Sequence, residues 1–191
     1  MRKLIYSMGV SLDGFIAGPD GDIGWSRPDE ELHRFHNEQA RAADTQLYGR
    51  RLYEVMRYWE TAEEKNPSDP EHEREFARIW KATRRLVFSR TLEQARGGAE
   101  LVRTDLAETV AELKAQSGGE IAVGGAGLAA SLMPLGLIDE YRQFVYPVVL
   151  GAGTPFFPPL DARIPLRLAG TRTFGSEVVY LRYEVAPDGR G

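Results

Sequence analysis

Three short segments of the sequence combine glycines, hydroxyl groups and arginines in a way that suits a bound anion. The first follows the apolar run 121–123 and consists of Gly124, Gly125, Ala126, Gly127 and Leu128. Glycines let a backbone approach a pyrophosphate closely, and free amides at the start of a helix donate to it. The sequence of this segment matches the dinucleotide-binding fingerprint. In an ordinary Rossmann unit, however, this turn lies near the start of the domain, whereas here most of the chain precedes it. Tight helix–strand packing also selects small residues and remains the alternative.

The second segment places two arginines at the start of a helix. Gly49, Arg50 and Arg51 follow a strand candidate at 45–48. The positive end of a helix dipole favours anions, so two arginines fit this position best when a bound anion lies between them and the backbone amides. The alternative is a pair of solvated surface side chains.

The third segment, Ser89-Arg90-Thr91, directly follows a strand candidate at 85–88. Hydroxyl groups beside an arginine guanidinium, which can donate two hydrogen bonds at once, suit a phosphate monoester. The alternative is that these residues are solvated surface side chains. Three such turns at one edge of one sheet predict a ligand with several phosphates, such as a dinucleotide. The 2′-phosphate of NADP would explain why the arginines converge.

The elements that must position these turns alternate along the chain. We expect strands at 3–10, 45–48, 85–88, 101–102, 121–123 and 141–150, with helices between them. The last two strands, 167–174 and 178–185, are expected to form a hairpin around the short turn 175–177. This order predicts a single α/β domain over residues 1–191, with a mostly parallel central sheet, helices on both faces and a C-terminal antiparallel hairpin. Such sheets bind ligands beyond the carboxyl ends of their strands.

Composition excludes several kinds of chemistry. The chain contains no cysteine, which excludes disulfide scaffolds, thiolate zinc sites, iron–sulfur clusters and a catalytic thiol. His33 and His36 are three residues apart on the first predicted helix, but no third ligand accompanies them, so we predict solvated helix residues and no metal. The net charge of −4 disfavours nucleic acid as a partner.

The N-terminal apolar stretch is too short for a membrane segment. Ser7, Ser11 and Asp13 interrupt it before it reaches the length of a signal sequence or a membrane span. We therefore expect a soluble, cytoplasmic protein without a membrane partner.

Five motifs occur in an order that matches a known family. They are Ser11–Ala17, Leu47–Glu54, Val87–Thr91, Val123–Gly127 and Gly151–Phe157. With them, the chain resembles the dihydrofolate-reductase-like superfamily. It is most similar to the C-terminal reductase domain of the bifunctional riboflavin-biosynthesis deaminase/reductase, in a stand-alone form. The resemblance implies a three-layer dihydrofolate-reductase-like fold with an NADPH site across the sheet, and a homodimer.

The resemblance also implies roles for the residues of the three turns. The 2′-phosphate or pyrophosphate would be held by Gly49, Arg50 and Arg51, and the adenosine ribose by Ser89, Arg90 and Thr91. The pyrophosphate would lie against Gly124, Gly125, Ala126, Gly127 and Leu128. The nicotinamide would be lined by Ile16 and Ala17.

On the substrate side, dihydrofolate reductases place a carboxylate early in the first helix. Either Glu30 or Glu31 could take that position, and the apolar residues Leu32 and Phe35 favour Glu31. We expect Glu31 to orient substrate or supply a proton, since partial burial can raise the pKa of a carboxyl group. Asp13 is the second candidate for this role. The alternatives are that Glu31 complements the helix dipole and that Asp13 stabilises the turn at Gly14.

A substrate cleft is expected between these two carboxylates and three aromatic side chains. The aromatic residues are Trp25, Phe35 and Tyr146, of which Tyr146 also suits the core or a dimer interface. Without cysteines the chain lacks the zinc deaminase part of the bifunctional enzyme, which leaves a role in riboflavin synthesis open. We therefore predict an NADPH-dependent reductase acting on a small heterocyclic or imine-like substrate. The alternatives are a dihydrofolate reductase, a non-catalytic NADPH-binding module, and an interaction protein without cofactor.

Overall fold

A computed structural model of the protein describes residues 1–186, and its centre is an eight-stranded sheet. The sheet strands are β1 (Leu4–Ser11), β3 (Ala43–Gly49), β4 (Arg84–Phe88), β5 (Glu100–Val102), β6 (Glu120–Gly124), β7 (Glu140–Tyr146), β9 (Leu166–Thr173) and β10 (Val179–Val185). A separate antiparallel pair is formed by β2 (Phe15–Ala17) and β8 (Thr154–Pro155). The helices are α1 (Glu30–Ala42), α2 (Arg50–Met56), α3 (Tyr58–Lys65), α4 (Glu71–Ala82), α5 (Leu106–Ala115) and α6 (Ala126–Leu132).

The strand order is β5-β4-β3-β6-β1-β7-β10-β9. Neighbours from β5 to β7 are parallel, whereas β10 is antiparallel to both β7 and β9. The predicted α/β fold class, with its mostly parallel sheet and C-terminal hairpin, is confirmed. Alternation along β1 explains the layers: Leu4 and Tyr6 pack with α5 and α6, while Ile5 and Ser7 face the side of α1.

The strand predicted at 141–150 ends four residues early, and that prediction is corrected: β7 stops at Tyr146. Pro147 lacks the amide hydrogen that a strand needs to continue its pairing. The chain turns there, and the Leu12 amide donates to the Val148 carbonyl at 2.8 Å.

Within residues 1–186, no helix has both the length and the apolar character needed to cross a bilayer.

A buried arginine joins the middle of the sheet to the first helix. Arg142 on β7 is 6% exposed, and its Nε donates to Glu140, 1% exposed, at 2.6 Å. Its Nη2 donates to Glu120 on β6 at 2.9 Å, and its Nη1 donates to the side-chain oxygen of Gln39 on α1. A buried ion pair of this kind is costly to break, because the remaining charge loses its partner while staying out of water.

We expect Arg142→Met to lower the free energy of unfolding by about 3–5 kcal/mol, since Glu140 would keep a buried charge that Lys3 alone reaches at 3.3 Å. Urea denaturation at neutral pH measures this. The matched control is Arg34→Met, which breaks an exposed pair with Glu30 on α1 and is expected to change stability far less. Equal losses in the two variants would contradict the importance of the buried network.

Candidate functional site

The three anion-suited turns lie side by side at one edge of the sheet. They follow β4, β3 and β6, which are adjacent and parallel, so that Gly49 lies opposite Phe88 and Tyr48 lies opposite Gly124. The Nη1 of Arg50 donates to the hydroxyl of Thr91 at 3.0 Å and links two of the turns directly. The residues expected to bind one anionic ligand therefore occupy one place in the fold.

The charge at this edge comes from three exposed arginines: Arg50, Arg51 and Arg90. The Nε of Arg50 also donates to Glu54 one helical turn later, at 2.8 Å, which offsets part of its charge. The Ser89 hydroxyl accepts from the Leu92 amide at 3.0 Å and so closes its own turn. The arginines supply the positive charge here, whereas Ser89 has a clear local structural role.

The glycine turn combines a packing requirement with open space. A Cβ on Gly124 would lie 2.6 Å from the end of the Leu52 side chain and 3.1 Å from the Tyr48 ring, so a side chain there would require both neighbours to shift. Gly125 has a φ of +93°, in the region that favours glycine. At Gly127, by contrast, an added Cβ would meet nothing within 4 Å. Tight helix–strand packing explains the glycine at position 124. The open space at Gly127 leaves room for a phosphate-bearing group, so the turn fits such a ligand.

A cavity of about 320 Å³ lies between the sheet and one flank of α1. Its apolar wall contains Met56, Trp59 and Phe76, and its polar wall contains His33, His36, Gln39 and Gln46. Gly124, the first residue of the glycine turn, also lines the cavity. A group bound at the turn and a ring bound in the cavity would therefore meet.

The two histidines of α1 are buried against this cavity, which corrects the prediction that they are solvated. His33 is 8% exposed and His36 is half-buried. Burial lowers the pKa of His36 to about 4, and the neighbouring His33 lowers it further. Burial is also the main cause of a lowered pKa at His33, with His72 contributing. Both imidazoles are therefore neutral at neutral pH, each with one donor and one acceptor nitrogen.

Glu31 lies on the opposite flank of α1, exposed to solvent. Its carboxylate accepts from the Gly175 amide at 3.0 Å and from Arg172 at 2.9 Å. These bonds, the Gly175 amide first, hold its pKa below the usual value, so the expected raised pKa is wrong. The carboxylate attaches α1 to the turn between β9 and β10.

Asp13 joins the turn after β1 to the loop after β7. Its carboxylate accepts from the Ser11 hydroxyl at 2.6 Å, from the Gly151 amide at 2.7 Å and from the Leu150 amide at 3.1 Å. The Ser11 hydroxyl contributes most to lowering its pKa. A carboxylate held ionised in this way is a poor proton donor, and the turn-stabilising alternative describes its contacts well.

The aromatic residues expected to line a substrate cleft lie outside the cavity. Phe35 packs against the rings of Phe174 and Tyr180, with centroids 5.3 and 5.0 Å away. Trp25 meets Tyr146 edge to face at 5.7 Å. These three residues thus lie on the side of α1 that faces the hairpin, away from the cavity, and their role toward a substrate stays a prediction.

The nicotinamide-lining candidates belong to the small sheet. Ala17 on β2 pairs with Thr154 on β8, and Ile16 packs against the main core. Their role toward a cofactor stays a prediction. The cavity residues that sequence reasoning missed carry one signal: His33, His36 and Gln39 recur every three residues on one helix face, as polar residues that a buried site would use.

Comparison with known protein families identifies this arrangement. The family model described as the RibD C-terminal domain matches residues 2–180. The chain belongs to the RibD C-terminal domain family. Among curated relatives, the uncharacterized protein YyaP of Bacillus subtilis (strain 168) is 37% identical over 185 residues, covering 95% of this chain and 94% of that protein.

Solved structures share the fold of this RibD C-terminal domain. One is a diaminohydroxyphosphoribosylaminopyrimidine deaminase/5-amino-6-(5-phosphoribosylamino)uracil reductase from Thermotoga maritima, 14% identical, with a TM-score of 0.64, covering 97% of this chain and 57% of that one. Another is a dihydrofolate reductase from Enterococcus faecalis complexed with NADP(H), also 14% identical, with a TM-score of 0.63 and 97% of each chain covered. The predicted dihydrofolate-reductase-like fold is therefore confirmed.

The lowered pKa of His36 predicts a loss of stability in mild acid. The unfolded chain binds a proton at an ordinary histidine pKa of about 6.5, whereas the folded protein binds it only near about 4. Stability from this residue is thus fully present above about pH 6.5 and declines as the pH falls toward about 4, by about 3 kcal/mol.

Urea denaturation of the native protein and of His36→Leu at a series of pH values measures this contribution. The native protein should lose more stability than the variant between about pH 7 and pH 4.5. Parallel pH dependences in the two proteins would show that His36 is not the source.

Proposed function

We propose that this RibD C-terminal domain is an NADPH-dependent reductase that acts on a small heterocyclic substrate, as reductases of the riboflavin pathway do. The observation that carries the proposal is that Gly124, the first residue of the glycine turn, also lines the cavity. A phosphate-bearing cofactor on the turn would place its reactive end toward a ring in the cavity. Substrate and hydride donor must meet in this way for direct transfer.

The three turns fit such a cofactor by chemistry and position. Arg50 and Arg51, with Gly49, would hold the 2′-phosphate, and the segment Ser89-Arg90-Thr91 would adjoin the adenosine ribose. The pyrophosphate would lie along the turn 124–128, where Gly127 faces open space. Ile16 and Ala17 would approach the nicotinamide. When bound, the cofactor supplies the hydride, and the protein supplies alignment and an environment that excludes water.

In the cavity, the protein's own side chains would enclose and orient the substrate. Trp59 and Phe76 form an aromatic corner, with ring centroids 4.8 Å apart and planes at 66°. Neutral His36 offers a hydrogen bond to a polar edge of the ring. In this proposal His36 orients the substrate. Glu31 and Asp13 do not donate a proton to it, because their hydrogen-bond partners keep both carboxylates ionised.

Replacing both Arg50 and Arg51 with alanine is expected to weaken NADPH binding at least about tenfold while changing NADH binding much less, because only NADPH carries the 2′-phosphate. Nicotinamide fluorescence during titration measures both affinities. Arg34→Ala, which removes an exposed arginine from α1, is the matched charge control and should bind as the native protein does. Equal weakening of NADPH and NADH would remove these arginines from 2′-phosphate recognition, and no NADPH binding by the native protein up to millimolar cofactor would overturn the proposed function.

We also propose a homodimer, as the resemblance implies. In support, Leu12 and Val149 lie in adjoining loops and are 69% and 66% exposed, a costly arrangement for apolar side chains unless a partner covers them. Light scattering after size exclusion should give twice the 21.3 kDa chain mass. The double variant Leu12→Ser and Val149→Ser should shift that mass toward the monomer, and a native monomer at high concentration would refute the dimer.

A further inference from the structure

A small apolar cluster lies beneath the two arginine-bearing turns and is separate from the main core. Its buried members come from β3, α2 and β4, and they are Tyr48, Tyr53 and Val87. Side chains of α2 and of the β4–β5 loop, residues 89–99, pack against them: Leu52, Met56, Leu92, Ala95 and Ala99. The helix that carries Arg50 and the loop that carries Arg90 therefore share one apolar base.

Tyr53 of this cluster also joins the helix to the backbone of the β4–β5 loop. The residue is 2% exposed, and its hydroxyl reaches Arg96. The hydroxyl accepts from the Arg96 amide at 2.7 Å and donates to the Arg96 carbonyl at 3.0 Å. A hydroxyl can make both bonds at once, and both of these end on backbone atoms of one residue. They fix the position of this part of the loop relative to α2.

The rest of the β4–β5 loop is tied to the sheet and to the segment after β5. Arg85 of β4 donates to the Gly97 carbonyl. Arg103 donates to three further carbonyls at 2.6–3.2 Å, those of Arg90, Leu92 and Glu93. These contacts keep the loop ordered if the Tyr53 hydroxyl is removed, but they do not connect it to α2. Hydrogen bonds to α2 come instead from Tyr53 and from the exposed pair of Arg50 and Thr91.

The position of the loop relative to α2 decides whether two arginines can act on one anion. Arg50 lies three residues before Tyr53 on α2, and Arg90 lies on the loop that Tyr53 holds. Charge-assisted bonds from two guanidinium groups to one phosphate require a defined separation between them. A site in which this separation is set beforehand loses less entropy when the ligand binds.

We propose, building on the function proposed above, that Tyr53 is a positioning residue for recognition of the 2′-phosphate of NADPH. Its hydroxyl sets the β4–β5 loop against α2, so that Arg50 and Arg90 act on the same group. Tyr53 is buried beneath the turns and acts through these arginines, without contact with the cofactor. NADH has no 2′-phosphate and depends much less on their separation.

The variant Tyr53→Phe tests the inference, because it keeps the ring and removes both hydrogen bonds. We expect NADPH binding to weaken about three- to tenfold and NADH binding less than about twofold, in titrations followed by nicotinamide fluorescence. The matched control is Tyr58→Phe on α3, which removes an exposed hydroxyl that accepts from Asn66 at 3.2 Å. This control should bind both cofactors as the native protein does.

The two possible failures are distinguishable. If the native protein binds NADPH and Tyr53→Phe keeps the native ratio of NADPH to NADH affinity, the inference is overturned and the proposed function stands. If the native protein binds no NADPH up to millimolar cofactor, the proposed function is overturned and the inference with it.

Hydrogen exchange without ligand separates positioning from a general loss of structure. The amides of residues 92–99 should exchange at least about threefold faster in Tyr53→Phe, while those of the sheet strands keep their native rates. Unchanged exchange in the loop, or faster exchange throughout the sheet, would contradict a positioning role.

A double-mutant cycle tests the partner through which Tyr53 acts. Adding Tyr53→Phe to Arg50→Ala should weaken NADPH binding less than adding it to the native protein, because both changes affect one set of contacts. Fully additive losses would show that Tyr53 does not act through Arg50.

Discussion

The buried guanidinium of Arg142 holds together the parts of the molecule on which the candidate site depends. It binds Glu140 on its own strand, Glu120 on β6 and Gln39 on α1, and so fixes the distance between the helix and the sheet. The cavity lies between α1 and the sheet that this contact joins. The same contact neutralises the only cation in the described cavity wall, so one interaction joins the two walls and sets the charge of the space.

Helix α1 then divides two kinds of chemistry between its flanks. On one side, Glu31 and Phe35 attach the helix to the C-terminal hairpin through Arg172 and an aromatic cluster. On the other, His33 and His36 face the cavity. The flank with Phe35 is therefore structural, and the flank with the two histidines is the one available to a ligand, as the amphipathic pattern of a surface helix predicts.

The fold and the phosphate-suited edge were predictable from sequence because they depend on local patterns. Apolar runs that end in Gly49, Ser89 and Gly124 place each turn after a strand, and parallel neighbours bring those ends together. The cavity was not predictable in this way. The cavity residues come from four helices, α1 to α4, and from four strands, and the pairing of Glu31 with Arg172 spans 141 positions. A carboxylate's partners decide its pKa, and sequence spacing does not reveal partners at that separation.

Polar composition also conceals a helix. Residues 60–65 are polar, yet they form most of α3, where Ala62 is buried and Glu63 pairs with Arg78 and Lys81 of α4. Contacts with a neighbouring helix supply the stability that composition alone does not indicate.

The packing of Gly124 against Leu52 makes the two sides of the phosphate-suited edge dependent on one another. Leu52 belongs to the same short helix as Arg50 and Arg51, and a side chain at 124 would require the Leu52 side chain to move. The glycine turn and the helix that carries the paired arginines are therefore coupled by packing. Across the family, a larger residue at position 124 should appear only together with a smaller one at position 52, and such covariation would mark lineages in which this edge has been rebuilt for a different ligand.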